Sequence, residues 1–160
     1  METSNDSLTL FSKIKDAGEV WISRDLDLSK TEVADLRIIA DCFAKMGCVV
    51  KIPCPVHYRS QSYREVFGQL LGTRYERKCP DLWIDGAFYE YESYVRPWNK
   101  RKLSNMLCSG LKQSDRIIID SRDGVPTRRI LRSIRSRLNV QAPIQEVWIF
   151  DGSSVVQVYP

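Results

Sequence analysis

The chain reads as an α/β domain of the α+β kind, a mixed β-sheet with flanking helices in the order α-β-β-β-α-β-α-β-β. Three observations predict this. Asp85-Gly86 is a two-residue turn set between apolar and aromatic residues, the signature of a twisted β-hairpin. The run Ile117-Ile118-Ile119 suits a central strand buried on both faces. Three stretches repeat apolar residues at helical spacing, and a sheet covered by such helices buries every apolar face.

In chain order, Ser29-Lys30-Thr31-Glu32 is a capping-box pattern and opens a helix to about Met46. Val33, Leu36, Ile39, Ala40 and Phe43 form its apolar stripe, and Gly47 stops it. A short strand from Cys48 to Ile52 ends at Pro53 and Pro55. Residues 54–78 read as irregular, basic and aromatic, with a short helix near Tyr63–Leu71. The hairpin follows. After Trp98 a helix runs to about Lys112, with Leu103, Met106, Leu107 and Leu111 on one face. The strand Arg116–Asp120 comes next, and Asp123-Gly124 turns the chain. Pro126 suits the first turn of a helix to about Leu138, with Ile130, Leu131, Ile134 and Leu138 facing inward. Strands Gln145–Phe150 and Ser154–Tyr159 flank Asp151-Gly152. The domain is single, over residues 1–160, with residues 1–28 as a loosely packed N-terminal arm.

The hairpin register places chemistry. A two-residue loop pairs Ile84 with Ala87, Trp83 with Phe88, Leu82 with Tyr89 and Asp81 with Glu90. Because side chains alternate, Asp81, Trp83, Phe88, Glu90 and Glu92 share one face, and Leu82, Ile84, Ala87, Tyr89 and Tyr91 the other. Three carboxylates on one strand pair repel one another, and a metal, a cation or a raised pKa relieves that. The plainer alternative is an edge hairpin whose acids meet water and neighbouring arginines.

Apolar residues are 43% and charged residues 28% of the 160, ordinary for a chain with a full core. No apolar run reaches the length of a membrane span, and the polar, acidic start lacks a secretory pattern. Cys42, Cys48, Cys54, Cys79 and Cys108 are odd in number and lack CxxC spacing, which argues for free thiols and a cytoplasmic location. The net charge of +4 hides an asymmetry. Residues 1–47 hold six Lys/Arg and nine Asp/Glu, whereas residues 96–137 hold twelve and three. A basic region of that density fits a phosphate-rich partner, nucleic acid. Arg128, Arg132 and Arg135, at helical spacing, and Lys102 are its candidate contacts; a solvated helix face is the alternative.

Two routes to phosphodiester cleavage fit the acids. In the first, Asp81, Glu90 and Glu92 give oxygens to Mg²⁺. In the second, no metal takes part. A carboxylate is the base for a 2′-OH attack on RNA, with Lys112, Arg128 and Arg132 holding phosphates. His57, the only histidine, is a further acid or base candidate, although a lone histidine is more often a surface or packing residue. Trp83 and Phe88 either stack bases or lie beneath a helix. Trp98 and Trp148 read as core.

Two resemblances accompany these readings. The order α-β-β-β-α-β through Asp120, with Pro80-Asp81 at the start of one strand and Glu90-Tyr91-Glu92 on the next, is similar to the core of the PD-(D/E)xK nucleases. That family has Lys where this chain has Glu92, a replacement also seen in some restriction enzymes of the superfamily. The stretch from Cys79 to Val158 resembles the C-terminal tRNase toxin domain of CdiA-type contact-dependent inhibition proteins and the barnase–EndoU–colicin–RelE (BECR) nuclease group. The residues that carry it are Pro80-Asp81-x-x-Ile84-Asp85-Gly86, the acid pair, Gly110-Leu-Lys-Gln113-Ser114-Asp115, Ile117-Ile-Ile-Asp120, and Glu146-Val-Trp-Ile149. It implies an RNA-cleaving fold, tRNA as substrate, a mobile-element setting, and room for an inhibitor or immunity partner.

The expectation is therefore a nuclease-like domain cleaving RNA, with Asp81, Glu90, Glu92 and Lys112 as catalytic residues and no cofactor. A Mg²⁺-dependent PD-(D/E)xK-type endonuclease is the alternative enzyme. A catalytically silent nucleic-acid-binding or scaffold relative is the non-enzyme alternative.

Overall fold

A computed structural model describes residues 8–93, 99–122, 124, 126–138 and 143–160. The elements in order are β1 (Leu8–Lys13), β2 (Glu19–Ser23), α1 (Thr31–Lys45), β3 (Val49–Ile52), α2 (Gln61–Phe67), β4 (Leu82–Ile84), β5 (Ala87–Glu92), α3 (Lys100–Gly110), β6 (Arg116–Asp120), α4 (Thr127–Leu138), β7 (Glu146–Phe150) and β8 (Val155–Tyr159). A single 3₁₀ turn, Gly68–Leu70, extends α2. The eight strands form one sheet in sequence order. Pairs β2–β3, β5–β6 and β6–β7 are parallel, and β1–β2, β3–β4, β4–β5 and β7–β8 are antiparallel.

The α/β class with a mixed sheet is as the sequence predicts, and the order differs at its start. Two strands precede α1, in the segment read as an arm. Val20 is fully buried there, and β2 joins the sheet beside β3. The short alternation Val20-Trp21-Ile22 carries this, and five residues give little periodic signal.

The start of α1 also differs from the capping-box expectation. Its N-cap is Lys30, without a side-chain hydrogen bond, and Ser29 Oγ donates instead to Asp27 Oδ1 at 2.6 Å. Asp27 outcompetes the helix terminus because it lies two residues away in a tight turn. The helix ends as expected. Gly47 sits at φ +95°, with its N–H on Ala44 O and the Cys48 N–H on Phe43 O, a Schellman stop.

The β4–β5 hairpin has the expected register: Leu82 opposes Tyr89, Trp83 opposes Phe88, Ile84 opposes Ala87. Asp85 and Gly86 adopt φ +44° and +95°, positive at both turn positions, which suits a two-residue loop. The turn is fastened to β3, because the Val49 N–H donates to Asp85 Oδ1 at 2.8 Å.

Alternation along the strands divides the core. Leu82, Ile84, Tyr89, Tyr91, Ile118 and Phe150 face α1 and pack with Leu36, Ile39 and Phe43. Ile117, Ile119 and Val147 face the other way, beneath α3 and α4, against Leu103, Leu107, Ile130 and Ile134. Phe88 and the half-buried Trp83 lie under α2 with Tyr63 and Phe67. Trp148 meets Phe43 edge-on, with ring centroids 4.7 Å apart. Trp98 lies outside the described residues. All five cysteines are free and half-buried. No helix of the described residues is long and apolar enough to cross a membrane.

Candidate active site

Asp81 immediately precedes β4, and Glu90 and Glu92 lie two apart on β5, so the pleat brings all three to the face away from α1. Asp81 is locked to β5: its Oδ2 accepts the Tyr91 backbone N–H at 3.0 Å. The Asp81 backbone N–H in turn favours the charged form of Glu90, against the rise from burial. Ser109 of α3 donates its hydroxyl to Glu92. Gly110, next along α3, gives Glu92 its space: a Cβ there would stand 3.1 Å from Glu92 Cγ and 3.2 Å from Ile117 Cδ1.

The three carboxyls share an unfavourable environment. Burial, then the charges of Asp81 and Glu92, push Glu90 up to about 9. Burial lifts Asp81 to about 7 despite the stabilising Tyr91 amide, with Glu32 adding to the rise. Burial lifts Glu92 to about 7 against the Ser109 hydrogen bond, and Asp81 and Glu32 push the same way. Glu90 Oε2 is buried without a hydrogen-bond partner among the described residues. A buried carboxylate in that position is costly unless it is protonated or meets a cation.

Glu32 is the member that sequence reasoning missed. It stands exposed in the first turn of α1 and acts electrostatically on all three acids. The capping-box pattern had assigned it a local role. Its i, i+3 spacing to Asp35 was the available signal that this turn of α1 carries two acids on neighbouring positions.

A second polar cluster lies on the α1 face. Arg122, just past β6, bridges Asp35 Oδ2 and Asp120 Oδ2 through Nη2, at 2.6 Å each. The Tyr91 hydroxyl is 3.2 Å from both Asp35 and Asp120. Asp35 and Asp120 are nearly sealed, at 6% and 7% exposure, so this is an interior ion-pair network. Sequence reasoning placed Asp120 at the end of a strand and in the segment that carries the nuclease resemblance, not in an ion-pair network.

The other predicted residues are more dispersed. Lys112 is exposed in the turn that follows α3, one helical turn beyond Ser109. His57 is exposed before α2, stacked on Tyr58 at 4.9 Å, and its Nδ1 accepts the Arg59 N–H. Arg128, Arg132 and Arg135 are exposed on α4, and Lys102 is half-buried on α3. Gln113 is half-buried in the turn before β6.

Hard carboxylate oxygens, mutual repulsion and an orphaned buried oxygen are the donor chemistry of a Mg²⁺ or Mn²⁺ site. The side chains are not drawn into a finished coordination shell, since among the described residues no three acidic, histidine or cysteine side chains converge on one point. The fit is one of chemistry and charge, and a cation would have to gather the oxygens. Comparison with protein-family models, curated proteins and solved structures gives no match for this chain.

Proposed function

We propose that this domain is a divalent-cation-dependent phosphodiesterase of the PD-(D/E)xK type, acting on nucleic acid. The observation that carries the reading is the shared burial of Asp81, Glu90 and Glu92 on one strand pair, where burial and neighbouring acids, Glu32 among them, raise the proton affinity of all three. The core order supports it too. Helix α1, the antiparallel strands β3–β4–β5, then α3 and the parallel strand β6 follow the α-β-β-β-α-β order of that family, with the acids at the matching positions.

Asp81 and Glu90 would hold the cation, with Glu32 contributing charge from α1. Bound there, it would supply Lewis-acid stabilisation of phosphate charge and a more acidic water. The chain's own contribution is orientation: the Tyr91 amide fixes Asp81 against the strand that carries Glu90 and Glu92. Glu92 stands where the family has lysine. Lifted to about 7, it exchanges a proton readily near neutral pH and is suited to act as a base.

A second reading rests on the spread of those same proton affinities. Glu90 at about 9 is a neutral acid at pH 7, while Glu92 at about 7 is half ionised. Two carboxyls held apart in this way make an acid and a base for metal-free RNA cleavage, with tRNA the substrate implied by the toxin-domain resemblance.

The deciding experiment is cleavage of total tRNA, single-stranded DNA and duplex DNA, in Mg²⁺, Mn²⁺ or EDTA. Wild type is compared with Glu90→Gln. Turnover that needs the cation and is lost in the variant supports the phosphodiesterase. Turnover of tRNA in EDTA supports the metal-free reading instead. Absence of cleavage on every substrate overturns both and leaves a binding module.

A further inference from the structure

We infer that the groove between α3 and α4 is a binding site for the backbone phosphates of a nucleic-acid strand. It rests on the phosphodiesterase reading only for what the strand is for, since binding can be measured without turnover.

The two helices carry an unusual charge pattern. Helix α3 reads KRKLSNMLCSG, with three Lys/Arg and no acid. Helix α4 reads TRRILRSIRSRL, with five Arg and no acid. They pack together through Leu103, Leu107, Ile130 and Ile134, and neither helix carries a carboxylate of its own. The arginines of α4 therefore make a surface that favours an anion.

Between the helices lies a groove of about 230 Å³. Arg129, Arg132, Arg137 and the serines Ser104, Ser133 and Ser136 line it, above a floor that includes Leu103. Arg137 is already oriented, because its Nη2 donates to Ser104 Oγ at 2.7 Å and so spans from α4 to α3. Guanidinium forks beside hydroxyl donors are the groups that recognise phosphate oxygens, and nothing in this lining distinguishes one base from another. The stripe expected from the sequence was Arg128, Arg132 and Arg135. In the fold only Arg132 of those three lines the groove, and Arg129 and Arg137 replace the other two.

The groove is connected to the acids through α3. Ser104 lines it, and Ser109 on the same helix holds Glu92. Five residues of helix rise about 7.5 Å.

Binding of a fluorescein-labelled 20-nucleotide RNA, and of the DNA of the same sequence, tests this by anisotropy in EDTA at several salt concentrations. The variants are Arg129→Gln/Arg132→Gln in the groove and Arg128→Gln/Arg135→Gln outside it. Ser133→Glu adds a carboxylate to the groove without removing an arginine, and circular dichroism checks that each variant folds. The expected result is at least a tenfold weaker Kd for the groove pair and for Ser133→Glu. The outer pair should change by less than threefold, and the salt slope should fall by about two charges only in the groove pair. Equal losses for both pairs would mean a diffuse basic surface and overturn the site, as would a wild type that binds neither oligonucleotide. Retained binding with no cleavage would leave the groove standing and count against the phosphodiesterase reading alone.

Discussion

Asp81 and Tyr91 are joined by a hydrogen bond from the Tyr91 amide to Asp81 Oδ2, 3.0 Å long, that ties the first acid of the cluster to the strand bearing the other two. Tyr91 lies between Glu90 and Glu92 in sequence, but its side chain points to the opposite face of the sheet. There its hydroxyl meets Asp35 and Asp120, and Arg122 holds both. One residue thus belongs to two polar clusters on opposite faces, an acidic one and an ion-pair network.

Loss of Arg122 should damage the fold more than any surface charge would. Arg122→Ala leaves Asp35 and Asp120 buried as unpaired neighbours. Breaking a fully buried pair costs about 3–5 kcal/mol; with the guanidinium 37% exposed, about 2–3 kcal/mol is expected here. Urea unfolding measures it. Asp35→Asn/Asp120→Asn in the same background should recover part of the loss, because neutral amides need no counter-charge.

Stability in the absence of cations should fall as pH rises. The folded state holds protons on Glu90 up to about pH 9, and on Asp81 and Glu92 up to about pH 7. The unfolded chain releases them near pH 4 to 4.5. The native state therefore binds more protons across that window, and the free energy of unfolding decreases with pH. Thermal unfolding in EDTA should give a wild-type Tm that falls steadily from pH 5 through pH 7 to pH 9. Glu90→Gln should lose clearly less, and a matching loss in both proteins would contradict the assignment.

Glu92→Lys introduces the lysine that PD-(D/E)xK nucleases carry at the position proposed to match. It replaces one of the charges that raise Glu90 with an opposite charge. The proton affinity of Glu90 should drop, seen as a downward shift of its carboxyl in a carbon-13 NMR titration. An unmoved Glu90 titration would show that Glu92 does not face it.

Much of this was legible in the sequence because it depends on local rules. The Asp85-Gly86 turn fixed the hairpin register, and the register placed Asp81, Glu90 and Glu92 on one face without any knowledge of the rest. Ile117 to Ile119 announced a strand buried on both sides, and all three are fully buried. What escaped depends on contacts distant in sequence. Asp35 and Arg122 are 87 positions apart, and neither has a local signature for the other. Glu32 was hidden by a motif that fitted it to a helix cap, a role the neighbouring Asp27–Ser29 turn removed. Strands β1 and β2 were missed because short strands at a sheet edge carry weak alternation, and Phe11, at the outer edge, is partly exposed under Arg37.

The most direct test of the central claim is calorimetric titration of Mn²⁺ at pH 7, in two buffers of different ionisation enthalpy. Carboxyls that hold protons at this pH must release them when a cation binds. The account predicts one saturable site with net proton release, abolished in Glu90→Gln and unchanged in Arg128→Gln/Arg135→Gln. No saturable binding, or binding of equal strength and equal proton release in Glu90→Gln, would contradict it.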